Sequence, residues 1–241
     1  LLYHGCVPLK ADGSLKSVRL FGRSYKGKGL YEVLESYVRK GFYAIDEKER
    51  ERGKDIMWYI WLSENSPLFG KDKMATFERY FLAEKETHKE KKNPYYMLLE
   101  DEKVIDGILR EFGLETEGTH IVNGHVPVKL KNGENPIKCG GKVYVIDGGF
   151  SRAYQKETGI AGYTLIYNSH GIFLSAHRPF ESTEAAIEKE TDIHSDDMMV
   201  KRAAERKLVG DTDIGRELKE QIEDLKMLLE AYRSGQIAEK M

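Results

Sequence analysis

Apolar residues in LYEVLESYVRKGF fall at Leu30, Val33, Leu34, Tyr37 and Val38, the three-and-four spacing that lines one face of a helix. The next apolar stretch, DIMWYIWLSENSPLFG, is dense in aromatics and predicts a buried helix. It should stop at Ser66-Pro67, because a proline steers the residue before it away from helical torsions. Lys71 to Phe81 can form a further helix. AEKETHKEKKNP has no apolar stripe and reads as a solvated helix end or loop. EDEKVIDGILREFG restores the helical spacing and ends on a glycine. Residues 28–112 therefore read mostly as helix, preceded in 1–27 by an opening strand candidate, LLYHGCVPL, and a basic, glycine-rich loop.

From residue 119 the texture changes. THIVNGHVPVKL, KVYVIDGGF and GYTLIYNSHGIFLSAH are short Val-, Ile- and Tyr-rich runs punctuated by Gly and Asn, which is strand patterning. Tyr163–Tyr167 and Gly171–Ala176 flank Asn168-Ser169-His170, a hairpin signal. The fold class predicted is α/β, with functional loops at strand ends. Residues 181–241 read as helical again and form a second segment after 1–180. The last helix carries Ile214, Leu218, Ile222, Leu225, Leu229 and Tyr232 on one face and stops at Gly235. That face either docks on the rest of the chain or pairs with another helix, which would make a homo-oligomer.

Composition narrows the function classes. The 241 residues carry a net charge of −2, which supplies no basic face for nucleic acid. No apolar run approaches the ~20 residues that span a bilayer, and no signal-peptide pattern is present. Cys6 and Cys139 are the two cysteines, expected as reduced thiols of a cytoplasmic protein. Neither has a second cysteine two residues away, so a zinc ribbon is excluded.

The candidate chemistry centres on two histidines. His4 in LLYHGCVPL and His125 in HIVNGHVPV each follow a strand-like run and precede a proline. Neighbouring strands place their ends side by side, so the two can converge on one metal or phosphate. The alternative is a pair of hydrogen-bonded loop histidines. Gly148-Gly149 follows a strand and lets backbone approach a ligand, with Arg152 and Tyr154 within reach of a phosphate. No GxGxxG is present, and Lys71 in LFGKDK lacks Walker spacing. His177, at a strand end beside Arg178, is a candidate substrate contact. Asp192 and His194 match a D-x-H pair but read as a solvated acidic patch, and His120 reads as packing.

HGCVP and NGHVPV resemble the histidine loops of calcineurin-like metallophosphoesterases, a superfamily that includes the serine/threonine protein phosphatases. The run from NGHVPVKLKNGENPIKCGGKVYVIDGGFSRAY through SAHRPF, with WLSENSPLFGKDKMATFERYF and DTDIGRELKEQIEDLKMLLEAY, resembles class III fructose-1,6-bisphosphatase over nearly the whole chain. The resemblance implies the C-terminal part of a β-sandwich flanked by helices, with residues 28–112 as a helical insertion. It implies hydrolysis of fructose 1,6-bisphosphate in gluconeogenesis, manganese as the metal, and His4 and His125 as ligands. Lys71, Lys73 and Arg79, with Arg152, Tyr154, His177 and Arg178, are the cations and donors available to a sugar bisphosphate. The expected D-x-H, G-D-x-x-D-R-G and G-N-H-[DE] motifs do not occur in their places. The remaining ligands are therefore expected in an N-terminal half of the same protein, and this portion alone is expected to be inactive. Two readings compete, a protein-directed phosphatase and a non-catalytic oligomerisation or regulatory module.

Overall fold

The computed structural model describes residues 1–148, 152–160, 162–180, 182–190, 195–203 and 205–237. Its elements begin with β1 (Val18–Leu20), β2 (Arg23–Tyr25), α1 (Gly27–Tyr43), α2 (Glu47–Leu62), α3 (Thr76–Phe81) and α4 (Glu102–Glu111). The strands β3 (Ile121–Asn123), β4 (Ile137–Lys138) and β5 (Val143–Val145) follow, then α5 (Arg152–Thr158). The chain continues through β6 (Gly162–Asn168), β7 (Gly171–His177), α6 (Thr183–Glu188), β8 (Ser195–Arg202) and α7 (Asp213–Arg233). The class is α/β, as the patterning implies. Two compact units form, one from Leu1–Tyr163 and Ala176–Ser195, the other from Thr164–Ser175 and Asp196–Met241, a division unlike 1–180 and 181–241.

In the first unit α1 and α2 form a helical hairpin. Leu30 and Leu34 of α1, Ile56 and Ile60 of α2, and Val18 and Leu20 of β1 share one buried cluster. The Asp46 carboxylate caps α2 by accepting from the Glu49 amide at 3.0 Å, and Glu47 and Glu49 sit favourably in its positive first turn. The helices cross where both lack side chains: a Cβ on Gly41 would lie 2.5 Å from the Gly53 Cα, and the reverse holds equally. The expectation of a wholly buried α2 is corrected here. Ile56 and Ile60 are buried, but Met57, Trp58 and Trp61 on the other side are more than half exposed. One more correction concerns length: the helix after Lys71 covers only Thr76–Phe81. AEKETHKEKKNP is a loop, as expected, with one short turn at Lys85–His88.

The first unit's main sheet has the order β3-β5-β4, with β3 and β5 parallel (Val122 opposite Tyr144) and β4 antiparallel to β5. All six residues of β3 and β5 are buried, which explains their unbroken rather than alternating character. The opening triplet adds at the free side of β3, where Leu2 bridges Val122 in parallel. The Tyr3 amide donates to the Val122 carbonyl at 3.2 Å. This pairing sets the ends of the first segment and of β3 side by side.

In the second unit β6 and β7 form the expected hairpin, its turn closed by the His170 amide donating to the Asn168 side chain at 2.8 Å. β8 pairs with β7 and corrects the wholly helical reading of 181–241. Its eight residues are nearly all exposed and alternate weakly, so their pattern carries no helix-or-strand signal. α7 is the helix the sequence announces, capped by the Thr212 hydroxyl accepting from the Gly215 amide at 3.0 Å. Within the second unit the apolar face of α7 is not covered: Ile214 and Leu225 are 67% and 64% exposed, and Gly215 is its one buried residue. Among the described residues no helix is long and apolar enough to cross a membrane.

Gly53→Ala should destabilise the first unit by about 1–3 kcal/mol, since the added methyl meets backbone that cannot rotate away. Urea unfolding followed by circular dichroism measures this; no loss would mean the helices cross further apart. The pair Leu225→Asn and Leu229→Asn should lower stability by no more than about 1 kcal/mol, the sum of two surface helix substitutions. A larger loss in the same assay would mean that the stripe is covered in solution.

Candidate functional site

His4, Gly5 and Cys6 form a loop whose backbone groups are each claimed by a different element. The Gly124 amide donates to the His4 carbonyl at 3.0 Å, and the Asn123 side chain donates to the Gly5 carbonyl at 3.1 Å. The Tyr31 hydroxyl of α1 donates to the Cys6 carbonyl at 2.9 Å, and the Cys6 amide donates to the Pro67 carbonyl at 2.8 Å. Gly5 is required here: a Cβ would lie 2.3 Å from the Pro67 oxygen and 2.9 Å from that of Leu68. Cys6 is fully buried, and burial pushes its thiol up to about 12, which makes it a packing residue.

The second loop follows β3. His125 sits at φ 66°, in the left-handed region that few non-glycine residues enter. The turn continues as the Val126 amide donates to the Gly124 carbonyl at 2.8 Å. The Val128 amide donates to the Asp147 carbonyl at 2.8 Å, which ties this loop to the end of β5.

The two histidines meet. His4 Nε2 lies 3.0 Å from His125 Nδ1, and the rings are set edge to face with centroids 4.9 Å apart. His125 Nε2 lies 2.9 Å from the Phe69 carbonyl, which can only accept. The proton of His125 is therefore on Nε2, and its Nδ1 lone pair faces His4. Burial holds the His125 imidazole below its ordinary pKa, and the His4 and Lys71 charges push the same way against the Phe69 carbonyl and Asp147. His125 is thus a neutral base with a fixed tautomer, oriented by a backbone carbonyl as metal-ligating histidines commonly are.

This donor pair fits a divalent metal ion. Both facing nitrogens are imidazole nitrogens, a donor type that divalent transition metals take. Asn123, 2% exposed, also leaves its Oδ1 without a hydrogen-bond donor among the described residues. Two imidazoles are nonetheless an incomplete set. Among the described residues no group of three or more His, Cys, Asp or Glu is placed to hold a metal ion.

The other candidates scatter. Lys71 lines the same cavity as the two histidines, but its ammonium pairs with Glu90 at 2.8 Å. Arg79 approaches Glu90 at 3.7 Å, and Lys73 donates to the Thr87 carbonyl at 2.5 Å. Glu90, which also accepts from the Ala75 amide at 2.8 Å, was hidden in a charge run that otherwise reads as solvated. Arg178 is exposed, and His177 Nδ1 lies 2.7 Å from the Ser195 hydroxyl. Neither His177 nor Arg178 lines the His4–His125 cavity. Gly148 serves packing, with a would-be Cβ 2.5 Å from the Gly162 Cα. Gly149, the side chains of Arg152 and Tyr154, and the residues Asp192 and His194 lie outside the described residues. His120 packs on Tyr144 and its Nδ1 lies 2.8 Å from the Gly141 carbonyl, as a packing role requires.

Sequence reasoning missed the turn Ser66–Gly70. Its Ser66 hydroxyl accepts from the Leu68 amide at 3.1 Å, and its carbonyls receive Cys6 and His125. The only signal was the Ser-Pro pair, which marks a helix end and says nothing of what the freed carbonyls bind. Gly5→Ala should displace the His4 loop from this turn, lowering stability by about 1–3 kcal/mol and weakening metal binding. Isothermal titration with manganese on the full-length protein checks the second effect; unaltered affinity would separate the turn from the site.

Comparison with known proteins places the chain in a family. The family model described as Firmicute fructose-1,6-bisphosphatase matches residues 1–234. A class 3 fructose-1,6-bisphosphatase of Clostridioides difficile is 58% identical over 240 residues, covering 99% of this chain. Those of Alkaliphilus metalliredigens and Clostridium beijerinckii are 56% and 55% identical, each covering 100% of it. In each case the chain spans 36% of the relative's length. No solved structure matches. The chain belongs to the Firmicute fructose-1,6-bisphosphatase family.

Proposed function

We propose that this chain is the C-terminal part of an enzyme that hydrolyses fructose 1,6-bisphosphate to fructose 6-phosphate and phosphate. Its relatives' names carry the substrate, and the observation that carries the chemistry is the His4–His125 contact at 3.0 Å. The fold of the whole is a calcineurin-like sandwich, of which β3, β4 and β5 belong to one layer. The reaction belongs to gluconeogenesis in the cytoplasm, in keeping with two free cysteines.

His4 and His125 would hold the nitrogen side of a divalent metal site, with manganese as the ion. Carboxylates and other oxygen donors come from the part of the protein that the relatives have and this chain does not span. A bound divalent cation supplies the Lewis acidity that phosphate-ester hydrolysis draws on. The chain's own residues prepare for it. The Phe69 carbonyl keeps the His125 proton on Nε2 and leaves Nδ1 as donor. For His4 Nε2 to serve as a ligand, the His4 proton would sit on Nδ1. The Tyr31, Asn123 and Gly124 bonds fix the His4 loop beforehand, so little ordering remains to be done. Lys71 sits beside the pair with its charge held by Glu90, available to a phosphate that displaces that carboxylate.

The 241-residue chain alone should release no phosphate from fructose 1,6-bisphosphate with manganese present, because its described residues gather no carboxylate at the histidine pair. Near-normal turnover would overturn the reading. In the full-length enzyme, His4→Ala and His125→Ala should each lower manganese content and rate. Metal affinity should fall by more than the ~10–100-fold that loss of an outer-shell partner costs. Unchanged metal stoichiometry would remove these residues from the site.

A further inference from the structure

Trp58 and Trp61 are the two tryptophans of the chain, and both are 61% exposed. They stand on the outer side of α2, edge to face, with ring centroids 5.7 Å apart. With Phe42, Met57, Leu68 and Met74 they line a groove of about 950 Å³. His4 and His125 line the same groove. An apolar face of this kind beside a polar reaction centre is not built for water. It is equally ill-suited to a sugar bisphosphate alone, which would leave both indoles uncovered. Of the three cations along the groove, Lys54 is already paired with Glu51 and Lys71 with Glu90, leaving Arg50.

We propose that the Trp58–Trp61 face is the seat of the preceding part of the full-length protein, which lies on α2 as it brings its oxygen ligands to His4 and His125. The inference rests on the reading given under Proposed function and adds to it where the two parts meet. Three observations select this occupant. The chain matches the C-terminal part of its relatives and spans 36% of their length, so nearly two-thirds of each relative lies on the side of Leu1. The segment Leu2–Tyr3, which leads into His4, lies along β3 and runs to the groove that His4 lines. The sheet is also open there: Leu2 is 78% exposed and forms no backbone hydrogen bond among the described residues, a free strand edge that invites another strand. A piece that supplies ligands to His4 and His125 must enter the groove they share with the indoles.

The test uses the full-length protein with a protease site placed just before Leu1 and cut after folding. The cut wild type should elute from a sizing column as one complex of its two pieces. The cut double variant Trp58→Glu/Trp61→Glu should separate, with affinity between the pieces lowered at least 100-fold. Phe77→Glu/Phe81→Glu, an exposed stacked pair on α3 outside the groove, should elute as wild type. A tryptophan variant whose pieces stay together as tightly as wild type overturns the proposal. So does an isolated 241-residue chain that dimerises through the same two residues, which would make the occupant a second copy. Fluorine NMR of 5-fluorotryptophan protein guards against a folding defect, with Trp58→Phe and Trp61→Phe for assignment. The two resonances should lose their solvent isotope shift in the uncut protein and regain it in the released chain; shifts alike in both states overturn the proposal. No readout involves metal or sugar phosphate, so failure here leaves the hydrolase reading standing, and the reverse holds as well.

Discussion

The turn Ser66–Gly70 is the fixed point of this structure. It accepts the Cys6 amide at Pro67 and the His125 ring at Phe69, so one short stretch of backbone orients both histidine loops. Their sequence separation of 121 residues is bridged by carbonyls, which do not vary with side-chain identity. A loop held by backbone tolerates substitution at Leu68, which is exposed, but not the insertion of a methyl at Gly5, which lies against it. The turn is itself anchored to α2, because the Ser66 hydroxyl donates to the Ile60 carbonyl at 2.5 Å. Packing of the helical hairpin and geometry of the histidine pair are therefore mechanically continuous.

That continuity explains what the sequence could and could not disclose. Helices with a full apolar stripe, such as α1 and α4, were legible because burial of Leu30 and Leu34, or of Ile105, Ile108 and Leu109, follows the 3.6-residue period. The parallel strands were legible because Ile121, Val122, Val143 and Val145 form short apolar runs between turn residues. The convergence of His4 and His125 followed from strand ends lying together. Hidden were the features that depend on who the neighbour is. Trp58 and Trp61 look like core in any window, yet the core side of α2 is taken by Ile56 and Ile60. Glu90 looks like one charge among many until Lys71 and Arg79 are seen around it. The carbonyls of Pro67 and Phe69 have no sequence signature at all.

The Gly41–Gly53 crossing shows the same logic from the side of packing. Two glycines inside helices cost conformational entropy, roughly 1 kcal/mol each relative to alanine. What they gain is an approach that lets Val38 and Ile60 reach the groove from adjacent helices while Leu34 and Ile56 close the core. A wider crossing would leave the core loose or move α2 away from Ser66. The two glycines that weaken these helices by propensity are thus the ones that let α2 hold its place beside Ser66.

His125 occupies a backbone conformation that a glycine would adopt without strain. Holding an imidazole there costs about 1–2 kcal/mol, a load offset in part by the bond from its Nε2 to the Phe69 carbonyl. Evolutionary drift should therefore run downhill at this position whenever selection for the ring is relaxed. A descendant that kept the sheet but no longer needed a nitrogen donor would be expected to carry glycine or asparagine here. The residue at this single turn is in that sense a fossil record of whether the centre is still in use.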